Sequence, residues 1–223
     1  MNPPPARDER PPSYPWPERL RDRTDLRDAL LAAYAEPHRS YHTTRHLAEV
    51  LANVEGLLPA SGPRGRDAVD RDAVLLAAWF HDAVYDGSRD DEERSAALAE
   101  EQLTGAGAPA ALVAEVARLV RLTAEHQPAD DDHAGQVLSD ADLAILGAEP
   151  ERYDEYTAAV RAEYSDLDDD TFREGRRRVL EALLRKPALF HTAAARDRWE
   201  RAARDNVQRE LSLRGRPAAP GSP

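Results

Sequence analysis

The sequence predicts an all-α protein, an irregular bundle of about eight or nine helices, and three observations carry that prediction. Apolar residues recur at intervals of three and four: Leu47, Val50, Leu51, Val54, Leu57 and Leu58 do so, and Val69, Ala73, Leu76, Ala77 and Phe80 repeat the pattern. No segment sustains the alternation of a half-buried strand. Glycine and proline punctuation divides the chain into helix-sized pieces.

In chain order, residues 1–17 are crowded with proline and are expected to form an extended or disordered arm. A single helical domain is expected over 18–211, with a first helix starting at Thr24 and another near Tyr41 that stops at PASGPRGR, residues 59–66. Stops follow at Asp86-Gly87, Gly105 to Gly107, Gln127-Pro128, Gly147 and Lys186-Pro187. Pro109 and Pro150 suit first turns, where the N–H that proline lacks has no helical partner anyway. Asp168 and Thr192 are start residues whose side-chain oxygens accept from first-turn N–H groups. Residues 212–223 repeat Gly, Pro, Ala and Ser and are expected to be a frayed tail. There is no internal repeat and no sign of a second domain.

Composition removes several function classes. Cysteine is absent, so a metal would have to be held by His, Asp or Glu. The formal net charge of -12 argues against a nucleic-acid surface, which draws its affinity from Lys and Arg neutralising phosphates. No apolar run approaches the roughly 20 residues of a membrane span, and MNPPPARDERPP lacks a signal-like apolar stretch, so a cytoplasmic location and no membrane partner are expected. Lys186 is the only lysine, so nearly every cation is a guanidinium, which matches phosphate oxygens in bidentate fashion.

Three apolar segments are interrupted by metal-type donors: YHTTRHLAEVL, LLAAWFHDAVYD and VLSDADLAILG. Polar groups buried there must be paired or metal-bound, because leaving them unsatisfied costs several kcal/mol, on the order of 2–7. His42 and His46 are four residues apart and are expected on one helical face, with His46 the deeper and His42 at a cleft mouth. His81 and Asp82 are adjacent and can converge on one ion only near a helix end, which Ala83-Val84-Tyr85-Asp86-Gly87 supplies. Asp140 and Asp142 read as carboxylates at a helix start, favoured there by the macrodipole. Asp142 is preferred as ligand and Asp140 as cap or supporting partner, a choice the residues alone leave open.

These residues carry a family resemblance. The order His46, His81-Asp82, Asp142 resembles the HD-domain superfamily of metal-dependent phosphohydrolases. YHTTRHL, AAWFHDAVYD, DDEERSA, SDADLAILG and RAEY are more closely similar to a bacterial branch of predicted HD phosphohydrolases, over about Tyr34 to Leu211. The resemblance implies an HD-like helical fold with a divalent ion held by His46, His81, Asp82 and Asp142. It brings no substrate.

Two imidazoles and two carboxylates with open positions suit Mn, Fe, Co, Ni or Mg, and the donor list does not choose among them. The expected function is hydrolysis of a small phosphate ester, such as a nucleotide, by attack of metal-bound hydroxide. Asp82, His42, His126 and Glu93 are the candidate catalytic residues: a histidine titrating near neutrality can protonate the leaving oxygen, and Glu93 follows the family's EE-x-SA pattern. Arg161 and Tyr164 are candidate contacts to a small phosphorylated substrate. Two other classes remain as alternatives. One is a di-iron oxygenase on an HD scaffold, with His42, His126 and Glu93 helping to hold a second metal. The other is a non-catalytic nucleotide-binding module, whose mark would be a missing ligand.

Overall fold

The computed structural model describes residues 14–58 and 70–214. Among these residues there are no strands, and nine α-helices of ten residues or more build the molecule. They are α1 (Thr24–Tyr34), α2 (Thr44–Leu57), α3 (Arg71–Phe80), α4 (Asp91–Gly105), α5 (Ala110–Leu122), α6 (His133–Leu143), α7 (Pro150–Glu163), α8 (Asp169–Arg185) and α10 (Arg201–Arg214). A single turn, α9 (Ala193–Ala195), leads through a π-helical turn at Arg196–Glu200 into α10.

Several predicted boundaries coincide with observed caps. Asp168 accepts from Asp170 and Thr171 N–H, Thr192 accepts from Ala195 N–H, and Pro150 is the first residue of α7. The helix expected from Tyr41 begins instead at Thr44, after a turn in which Thr43 N–H donates to the Tyr41 carbonyl. The breaker PASGPRGR and Val69 lie outside the described residues, as do residues 1–13 of the arm and 215–223 of the tail. The end of the expected arm is packed: Trp16 meets the Trp79 ring edge-on at 5.0 Å, and Trp79 Nε1 donates to the Pro15 carbonyl at 2.9 Å. At the other end α10 continues to Arg214, past the expected start of the tail.

The buried side chains form two clusters. The first is built by α1 to α6 around α3, whose residues Ala73 through Phe80 are buried on every side. That explains the unbroken apolar run, since α3 packs against α2, α4, α5 and α6 and has no solvent face along this stretch. The second cluster joins Tyr41, Leu146, α7, α8, Phe190 and α10. Between them α6 runs into a 3-10 turn, Ala144–Gly147, that packs on α10. Gly147 permits this approach: a Cβ there would lie 2.6 Å from Trp199 Cβ and 2.9 Å from its carbonyl oxygen. Asn206 secures the contact, donating to the Leu146 and Ala148 carbonyls. The side chains of His46, His81 and Asp142 meet where these two halves face one another.

Candidate metal centre

His46 lies in the first turn of α2, on the face that buries Leu47 and Val50, and is only 2 % exposed. His81 caps the C-terminus of α3, and Asp82 follows in the turn, so the adjacent pair does sit at a helix end. Asp142 is in the last turn of α6, and the expectation that Asp140 and Asp142 begin a helix is corrected: both lie near its end. The correction has electrostatic consequences. Asp82 and Asp142 now sit where unpaired helix carbonyls add negative potential, which disfavours a bare carboxylate and favours a cation beside it.

The donor atoms converge. His46 Nε2 and His81 Nε2 are 3.1 Å apart; Asp142 Oδ1 lies 3.2 Å from the first and 3.6 Å from the second. One atom each of His46, His81 and Asp142 falls within 4.8 Å of the others, so this buried group could bind a metal. Asp82 Oδ2 adjoins both imidazoles, at 3.3 and 3.0 Å. Such separations are those of neighbouring ligands on one ion with bonds of roughly 2.0–2.2 Å. His81 Nδ1 donates to the Ala78 carbonyl at 2.8 Å, which places the lone pair of a neutral ring on Nε2, the atom facing the cluster. The donor set therefore fits a divalent cation.

The same crowding shifts the ionisations. Burial opposes charge on His46, but hydrogen bonds to the Asp142 and Asp82 carboxylates outweigh it and push the imidazole up to about 9. His81 is raised in the same sense, against burial, chiefly by the Asp82 charge. Burial works against both carboxylates, yet the His81 charge and the imidazole hydrogen bonds hold Asp82 and Asp142 well below the usual range. The cluster demands positive charge, as a proton or as a metal.

Surrounding groups hold this arrangement in place, and sequence reasoning missed most of them. The buried Arg39 guanidinium donates to the Asp82 carbonyl at 2.6 Å and to the Ala83 carbonyl at 3.1 Å, fixing the turn that carries Asp82. Tyr34 OH accepts from Asp82 N–H. Asp140 supports from behind, accepting from His191 and Thr192 N–H at 2.7 Å each and so tying α6 to the segment before α9. It is a cap, but of a segment some fifty residues away rather than of its own helix.

His42 precedes α2 instead of sharing a face with His46, though its ring centroid still comes within 5.6 Å of the His46 ring. Its Nδ1 lies 2.8 Å from Glu163 Oε2, which also accepts from Tyr85 OH, while Glu163 Oε1 accepts from Ser40, Tyr41 and His42 N–H. Against burial, these bonds and the His42 charge lower Glu163 to about 2, so it stays an acceptor. RAEY was the one sequence signal for Glu163, which sits between the two residues singled out there.

His126 also reaches the cluster, with Nε2 3.4 Å from Asp142 Oδ2. It adopts a left-handed φ of 50°, at a cost on the order of 1–2 kcal/mol for a residue with a Cβ, and its Nδ1 is buried without a hydrogen bond. Burial lowers its pKa, so the ring is neutral at pH 7.

Two expected site residues are elsewhere. Glu93 forms a bidentate surface pair with Arg121 on α5, because it lies on the α5 side of α4. Its neighbour Glu92 is the half-buried one, raised by burial and then by the charge of Asp82 and Asp91. Arg161 closes the end of α7 by donating to the Tyr164 and Leu167 carbonyls and to Asp169, which engages four of its five N–H groups. Tyr164 lines a groove that reaches His42.

No family model, curated protein or solved structure matches this chain, so the reading of the site rests on its own geometry. No helix of the described residues is long and apolar enough to cross a membrane.

Proposed function

We propose that the protein is a metal-dependent phosphohydrolase of the HD type, with His46, His81, Asp82 and Asp142 holding one divalent ion. The observation that carries this reading is the convergence of two Nε2 atoms and a carboxylate oxygen from three separate helices, in the order the HD resemblance implies. A divalent ion bound there would acidify a water toward neutrality and polarise a phosphoryl oxygen.

The chain's own residues supply the rest. Arg39 and Tyr34 keep the Asp82 turn rigid, and Ala78 fixes the His81 ring. His42 stands beside the cluster with Nδ1 engaged by Glu163, leaving Nε2 to give a proton to the leaving oxygen. Metal-reconstituted protein is expected to hydrolyse members of a panel of nucleotides, sugar phosphates and simple phosphate esters. Asp82→Ala should lose both the metal and the turnover while keeping its helical spectrum. Undiminished activity in that variant would sink the assignment.

The oxygenase alternative has one observation in its favour: His126 stands against the second oxygen of Asp142, where a bridged second ion could use it. Glu93 is not there to help. Two irons per chain with oxygen-dependent turnover would replace the hydrolase reading.

A further inference from the structure

Beside the cluster, α7 and α8 enclose a groove of about 410 Å³, within the roughly 300–1,000 Å³ of small-molecule sites. Three of the four exposed large apolar side chains among the described residues line it: Tyr164, Leu167 and Val179. Phe172 and Val160 continue the apolar wall, and no carboxylate contributes to it. Its one guanidinium, Arg176, is already engaged by Glu210 and Tyr156. The groove ends at Tyr41 and His42, and Tyr41 also lines a 250 Å³ cavity with His46 and Asp142.

Gly175 is an independent pointer. It sits inside α8 with no left-handed φ, so the backbone does not require glycine, and glycine there weakens the helix relative to alanine. A Cβ at this position would meet nothing within 4 Å. Gly175 is exposed and lines the groove, so a side chain added there has open space to occupy.

We propose that this groove receives the organic group of the substrate, and that this group is apolar and of aromatic size, so that the natural substrate is a phosphate monoester of an apolar alcohol or phenol rather than a sugar phosphate. The proposal rests on the phosphohydrolase reading. With the phosphate at the metal cluster, the ester oxygen falls beside His42. Water supplies the new bond to phosphorus, the bond from phosphorus to the ester oxygen breaks, and His42 returns the proton to that oxygen. The products are the free alcohol and inorganic phosphate, with no change of oxidation state.

The test uses the full chain and Gly175→Leu, which adds an apolar side chain and a good helix former at a position lining the groove and is expected to raise Tm. The ratio of kcat/KM for 1-naphthyl phosphate to that for glycerol 1-phosphate should favour the aryl ester in the parent protein and fall at least tenfold in the variant. A parent that prefers glycerol 1-phosphate, or a ratio untouched by Gly175→Leu, overturns the proposal. Binding of 1-naphthol, followed by its fluorescence, separates the two readings. If no ester is hydrolysed but naphthol binds and Gly175→Leu weakens that binding tenfold, the catalytic reading fails and the apolar subsite stands. If naphthol binding is absent or indifferent to the substitution, the subsite fails whatever the activity.

Discussion

Two buried charged clusters lie in the two halves of this molecule, and they differ in how well they satisfy themselves. In the second core, Arg176 donates from Nε and one terminal nitrogen to the two oxygens of Glu210, and Tyr153 OH donates to the same carboxylate at 2.7 Å. The remaining Arg176 nitrogen donates to Tyr156 OH. Charge is balanced and donors match acceptors. In the His46–His81–Asp82–Asp142 cluster, two ring nitrogens face each other at 3.1 Å and two carboxylates press on the same point, so acceptors outnumber donors unless a cation is added. Burial and ionisable residues are common to both. What distinguishes a site from a structural ion pair is the unmet demand for a ligand.

The widest separation between the clusters is expected from alanine substitutions. Asp142→Ala should reduce divalent-metal affinity by more than a hundredfold and abolish any rise of Tm on adding metal, as read by calorimetry and thermal melts. Glu210→Ala should keep the metal-induced rise. If both variants retained it equally, the comparison would collapse.

Stability should show the reverse pattern. Glu210→Ala leaves the Arg176 guanidinium buried and unpaired, at a cost of about 3–5 kcal/mol in denaturant unfolding. Replacing both partners, Arg176→Met with Glu210→Leu, should recover much of that loss, because no lone charge then remains buried.

A third contrast lies in pH. His46 is raised to about 9 in the folded protein, so the stabilisation from its charged form is complete below its unfolded value of ~6.5 and disappears as pH rises through about 9. Metal-free protein should therefore lose Tm between these values, and added metal, which replaces the proton, should flatten the curve. A metal-free Tm constant from pH 6.5 to 9 would remove the argument that the cluster is short of positive charge.

The smallest expected effect concerns Glu163. Glu163→Gln keeps an oxygen for the three backbone N–H groups, but the amide nitrogen that replaces Oε2 can accept from neither His42 Nδ1 nor Tyr85 OH. A fall in kcat of roughly tenfold or more, with metal affinity retained, is expected. An unchanged kcat and pH profile would leave Glu163 as a loop anchor only.

The sequence was informative where local physics decides. Periodicity of three and four gave the helical class, capping chemistry located the starts at Asp168 and Thr192 and a first-turn proline the start at Pro150, and an apolar run broken by His81-Asp82 announced buried donors at a helix end. It misled where direction in space decides. Glu92 and Glu93 are neighbours on one helix, and only the packing of α4 on α5 sends Glu93 to Arg121 and leaves Glu92 half-buried. Arg161 is drawn into the chain after α7, which folds back to accept from its guanidinium at the Tyr164 and Leu167 carbonyls.

By itself, then, the sequence determined the helices, the absence of thiolate ligands and the identity of the donors that interrupt the apolar faces, because each depends on residue type and spacing within a few turns. Only the tertiary structure decided that His46, His81 and Asp142, drawn from three helices, meet within 4.8 Å, that Arg39, Asp140 and Glu163 brace them, and that Gly175 and His42 line one groove. Such convergence is set by how helices cross, and crossing is fixed by side-chain packing between segments far apart in the chain.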